Sequence, residues 1–149
     1  MDAVIIIFIT GLIGLFVGML KKSELTLAVT SIGLIGGFIS MFLINDYESI
    51  FSTYAGLTFS RTQQMFALLA IGLTLLAVLM GYVYYKEEDE HTADYYGLIL
   101  FSLTGALCLI GFSNMFMFFL GLEILSIPIY VLVGIQKGKK EIFEKNILN

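Results

Sequence analysis

Apolar residues run in five blocks along the chain, at about 3–20, 25–44, 64–85, 95–113 and 115–135, with the charged positions gathered between them. A helix rising 1.5 Å per residue needs about 20 predominantly apolar residues to cross a hydrocarbon layer of about 30 Å. The pattern therefore predicts five transmembrane helices in an all-α membrane protein. Only Phe112-Ser-Asn-Met115 parts the fourth block from the fifth, so these two are expected to form a tight antiparallel hairpin. The longest connection, residues 45–63, is semi-polar (Asp46, Tyr47, Glu48, Tyr54, Arg61) and is expected at the membrane surface. Tyr82, Tyr84, Tyr85, Tyr95 and Tyr96 collect at block ends, where amphipathic rings favour headgroup depth. Residues 136–149 read as a cytoplasmic segment leading to a further helix beyond this sequence.

Composition sharpens the class. Of 149 residues, 58% are hydrophobic and 13% charged, against about 25% charged in ordinary soluble domains. One Cys and one His exclude much. An iron–sulfur cluster needs about four thiolates, a structural zinc site about four N or S ligands, and a bis-histidine haem a second His. Cys108 lies in an apolar block and reads as a small packed hydrophobe. His91 closes the acidic run Lys86-Glu-Glu-Asp-Glu-His91 and reads as solvated. No basic stripe supports nucleic-acid binding, and no glycine-rich loop follows a strand to hold a nucleotide. The first block opens Met-Asp, with no basic start and no small-residue cleavage motif, so it reads as a retained helix.

Charge asymmetry orients the chain. Lys21, Lys22, Lys86, Lys137, Lys139, Lys140 and Lys145 fall on one side of the predicted layer, and Arg61 alone on the other. The positive-inside rule then sets the N-terminus outside and residue 149 on the cytoplasmic side. Gly14 with Gly18 and Gly33 with Gly37 have the spacing that lets membrane helices approach closely. Packing within one bundle is the reading favoured over a dimer face.

The fifth block carries the chemistry. Met115–Ile135 holds a single charge, Glu123, about 13 Å along the helix and so near mid-membrane. Insertion scales put a central acid at about +2.5 to +3.5 kcal/mol, and an intramembrane carboxyl reads first as part of an ion or proton path. A structural carboxyl, or an anchor for another subunit, is the plainer alternative. Phe116, Phe119, Glu123, Ser126 and Tyr130 share one helical face, so this polar stripe is expected to point into a bundle. Pro128, the only proline, removes the donor to the Ile124 carbonyl, and a kink is expected there. Ser126 or a water is expected to satisfy that carbonyl. Asp94 opens the fourth block. It is a candidate mouth for a proton path, although a helix cap beside the headgroups explains it without function. No Lys or Arg lies inside any block, so a cation facing Glu123 is either absent or supplied from elsewhere.

Two runs carry a family resemblance. Asp94-Tyr-Tyr-Gly-Leu-Ile-Leu-Phe-Ser-Leu-Thr-Gly-Ala-Leu107 and Asn114-Met-Phe-Met-Phe-Phe-Leu-Gly-Leu-Glu-Ile-Leu-Ser-Ile-Pro-Ile-Tyr-Val-Leu132 closely resemble the antiporter-like membrane subunits of respiratory complex I. Among these, subunit N of bacterial NADH–quinone oxidoreductase fits best. The match is good over about residues 92–149 and weaker in motif over 1–91. The resemblance implies a subunit of about fourteen helices with inverted repeats, of which this chain is the N-terminal third. It implies proton translocation coupled to quinone reduction in a bacterial inner membrane. Glu123 matches the family's fifth-helix glutamate, whose lysine partner on a seventh helix lies beyond this sequence. NADH, flavin, iron–sulfur clusters and quinone are then expected in partner subunits and none in this chain. Other membrane subunits of the complex and the lipid bilayer are the expected partners. Cation/proton antiporters and membrane-bound hydrogenases use homologous subunits and remain alternatives, as does a structural membrane scaffold that transports nothing.

Overall fold

The computed structural model describes residues 2–18, 23–43, 56–85 and 92–148. These form five helices: α1 (Asp2–Gly18), α2 (Ser23–Leu43), α3 (Arg61–Tyr85), α4 (Thr92–Ile110) and α5 (Met115–Leu148). Among the described residues there is no strand, only one isolated antiparallel bridge between Leu57 and Phe112. Three helices carry stretches long and apolar enough to cross a membrane: Glu24–Leu43, Arg61–Gly81 and Met115–Gly134. The apolar stretches of α1 and α4, Ala3–Val17 and Tyr95–Ile110, are shorter. His91, residues 44–55 and the lysines at 21, 22 and 86 lie outside the described residues, as do the side chains of Asp94 and of the tyrosines at 82, 84 and 85.

Helix α4 is the hub. It packs on α1, α2, α3 and α5, while α5 packs on α4 in the main. Its inward residues Tyr96, Leu100, Leu103 and Leu107 recur at three- and four-residue spacing and are almost fully buried. Ile7 of α1, Leu34 of α2, and Ala67, Ile71 and Val78 of α3 close the same core. Tyr96 is thus a core residue rather than part of an interfacial belt, because it continues the buried stripe of its own helix. Cys108 is a free thiol inside this core, packed as a small apolar side chain.

Between membrane helices the hydrophobic effect gives little drive, so association depends on close packing and hydrogen bonds. The α1–α2 contact follows that rule. A methyl group at Gly33 would overlap the Thr10 side chain, and one at Gly37 would lie 2.8 Å from Ile7. The hydroxyl of Thr10 donates to the Ile6 carbonyl (2.6 Å), and that of Thr104 in α4 to the Leu100 carbonyl (2.9 Å). Such back-bonding satisfies a buried hydroxyl without a partner helix. The outer surface is apolar in its turn: Phe16, Ile32, Phe42, Met65, Phe66 and Met80 are all largely exposed. A lipid-facing surface has this composition.

The hairpin between α4 and α5 forms as its short connection predicts, but α4 begins and ends about three residues earlier than hydropathy suggests. Its early end is set by a pairing with the 56–58 segment. The Gly111 amide makes the last helical bond, to Leu107 (3.0 Å), and the Gly111 carbonyl then accepts from the Thr58 amide (2.7 Å). In α5 the helix does not stop near residue 135. It continues through the lysine- and glutamate-bearing segment to Leu148, residue types that favour helix.

Candidate functional site

The start of α5 is pinned by a turn built from two chain segments. Beside the Leu57–Phe112 bridge, the Ser113 amide donates to the Gly56 carbonyl (2.9 Å). Gly56 has φ 66°, and a methyl group on it would overlap the Asn114 side chain, so only glycine fits. Asn114 Oδ1 in turn accepts the Met117 amide (2.8 Å), capping α5. The Phe112 and Phe118 rings meet edge to face at 5.2 Å across the same corner. On the facing side, Ser60 and Gln63 exchange bonds as a capping box for α3: Ser60 N–H to Gln63 Oε1 (2.8 Å) and Gln63 N–H to Ser60 Oγ (3.5 Å).

Along α5, the face that meets α4 is set by glycine and proline. Gly121 and Pro128 are buried. A methyl group at Gly105 of α4 would strike the backbone of α5 at the Ile124–Leu125 peptide, 2.8 Å from the Ile124 carbonyl carbon. One at Gly121 would lie 3.1 Å from Leu109 Cγ. The two helices therefore touch almost backbone to backbone beside the acid.

This packing turns the polar stripe away from the five helices. Glu123 is exposed, and Phe116, Phe119 and Tyr130 are 75%, 60% and 73% exposed; Ser126 is half-buried. Glu123 therefore does not point in among the five described helices. The physical reason is that Gly121 and Pro128 lie on the opposite face, where α5 makes its close contact with α4. The structure keeps Glu123, Ser126 and Tyr130 on one side of the helix but closes no pocket around them within the described residues.

Two expectations are corrected. Of the two donors expected for the Ile124 carbonyl that Pro128 leaves without its helical donor, Ser126 or a water, the Ser126 hydroxyl donates instead to the Glu123 carbonyl (3.3 Å), three residues back. A serine hydroxyl reaches back three or four residues, and here the shorter reach is taken. Asp94 lies inside the first turn of α4, which starts at Thr92, rather than ahead of the helix as a cap. Nothing brings Asp94 beside Glu123: one opens α4 and the other lies in the middle of the apolar stretch of α5.

Gly105 and Gly121 escaped the sequence reading. The available signal was one glycine on each side of the short 111–114 turn; the structure sets Gly105 against Ile124–Leu125 and Gly121 against Leu109, one turn apart along the hairpin. Among the described residues, no group of three or more His, Cys, Asp or Glu gathers as a metal site requires.

No protein-family model matches the chain. Individual relatives do. It is 34% identical to NADH-quinone oxidoreductase subunit N of Cytophaga hutchinsonii, over 99% of this chain and 32% of that protein. With NADH-quinone oxidoreductase subunit N of Flavobacterium psychrophilum it shares 32% identity, over 90% of this chain and 29% of that protein. NAD(P)H-quinone oxidoreductase subunit 2 of Gloeobacter violaceus is 28% identical, over 95% of this chain and 28% of the relative. The chain thus spans about a third of the length of the curated relatives it matches. Sequence, helical architecture and apolar spans agree, and the chain belongs among the sequences of NADH-quinone oxidoreductase subunit N, a larger membrane subunit.

Proposed function

We propose that this chain is part of a membrane-arm subunit of a proton-pumping NADH–quinone oxidoreductase, and that Glu123 carries protons along its route. The observation that supports this most is a lone carboxyl in the middle of the apolar Met115–Gly134 stretch, held on the face of α5 that its own bundle leaves open. A charge at that depth is unfavourable against lipid by about 2.5 to 3.5 kcal/mol, so the face needs a polar neighbour from elsewhere in the complex. Ser126 and Tyr130 on the same face provide a hydroxyl and a phenol along which a proton or a water can be passed. Pro128 one turn further leaves the Ile124 carbonyl free to accept from water. The names of the relatives favour a quinone-linked machine over the antiporter and hydrogenase alternatives.

In this reading the chain holds no redox group. NADH oxidation, electron transfer and quinone reduction belong to partner subunits, and the chain works in a bacterial inner membrane with its N-terminus outside and residue 149 in the cytoplasm. The test is Glu123→Gln in the complete complex. Proton translocation should fall while the subunit still assembles. Wild-type translocation with glutamine at this position removes the role and favours the scaffold alternative, for which the loss of an unfavourable charge would leave the complex intact or steadier.

A further inference from the structure

The α4–α5 crossing touches the backbone of α5 beside Glu123. Most helix crossings can absorb an added methyl by moving a side chain. This one cannot: the atoms nearest a methyl at Gly105 are the Leu125 nitrogen, the Leu125 Cα and the Ile124 carbonyl carbon, all backbone. Contact there is closed by the buried Pro128 one turn further and by Gly121 one turn earlier, which rests on Leu109. The peptide under Gly105 is also the one whose carbonyl Pro128 deprives of its helical donor, so that turn has lost one of the bonds that would resist distortion.

We propose that Gly105 is a positioning residue for Glu123, fixing the rotation and depth of the α5 turn that presents the carboxyl. The proposal rests on the proton-route reading of Glu123 for its consequence, but not for its geometry. An added Cβ displaces the Ile124–Leu125 peptide, and the acid one residue earlier moves with it. Displacements of about 1 Å in a reacting group are known to cost up to about a hundredfold in rate. Gly72 of α3 and Gly134 of α5 are natural controls, because a methyl at either meets nothing within 4 Å.

The experiment uses the complete complex in native membranes with Gly105→Ala, Gly121→Ala and Gly72→Ala. Two quantities are read per mole of assembled subunit: the rate at which an apolar carbodiimide modifies Glu123, scored by mass spectrometry, and the pH profile of proton translocation. Gly105→Ala should change the modification rate several-fold and displace the pH profile. Gly121→Ala, whose methyl would lie 3.1 Å from the Leu109 side chain and 3.2 Å from its backbone nitrogen, wider than the contacts at Gly105, should change the rate in the same direction by less. Gly72→Ala should match wild type. An unaltered modification rate in Gly105→Ala at normal abundance overturns the proposal, as does an equal change in Gly72→Ala. Should Gly105→Ala fail to accumulate, Gly121→Ala decides: wild-type modification there overturns the proposal. Modification is read without reference to pumping, so it stands even if Glu123→Gln pumps normally. That outcome would sink the proton-route reading alone.

Discussion

A single carboxylate in an apolar run is visible in a sequence because nothing else explains its presence there. Its direction is not visible. In a soluble helix the polar face looks outward and the apolar face inward, whereas in a membrane both faces are apolar, so hydropathy carries no sign. The charge of Glu123 makes it visible, and the side it faces is set by something hydropathy does not weigh, the close contacts of Gly105 and Gly121 between α4 and α5. Ser126 illustrates the same limit: of the two donors the sequence offers the Ile124 carbonyl, Ser126 or a water, the serine hydroxyl serves the Glu123 carbonyl instead. At this scale Glu123→Asp is expected to pump better than Glu123→Gln and worse than wild type, since it keeps an acid on a stem one methylene shorter. Proton uptake in membrane vesicles reads the ranking. Asn114→Ala removes the cap on α5 and is expected to lower stability by about 1 kcal/mol, with a lower unfolding midpoint of the detergent-extracted complex.

Element existence was legible because the apolar blocks are long and separated by charge, and the α4–α5 hairpin because its connection is four residues. Element ends were not. The Gly111 carbonyl is taken by Thr58 from a distant part of the chain, and no local propensity announces such a pairing. Tyr96 departs from expectation for a related reason: an aromatic near a block end suits the interface, yet continuing the Leu100–Leu103–Leu107 stripe puts it in the core. The Gly33 and Gly37 pair was read as close packing within the bundle, and the α1–α2 contact has that character. Gly33→Leu is accordingly expected to separate α1 from α2 and to destabilise the bundle by about 1 to 3 kcal/mol, whereas Gly72→Ala should be close to neutral. Proteolysis of the extracted complex at rising temperature distinguishes the two.

At the scale of the whole molecule, α4 holds the bundle together and α5 hangs on it, with its acid-bearing face turned outward. A chain spanning about a third of its relatives' length has no reason to cover that face alone. The proposed orientation rests on the seven-to-one distribution of basic residues. In a Cys108→Ser background, Ser113→Cys is expected to react with a membrane-impermeant maleimide added outside the cell, and Lys139→Cys only after the membrane is opened. The reverse pattern would invert the topology. The most direct measurement is the number of protons translocated per quinone reduced by the complete complex carrying Glu123→Gln in sealed vesicles. A clear fall in that number, with the subunit present at wild-type abundance, is the predicted result. An unchanged number would contradict the central claim that the carboxyl at position 123 moves protons.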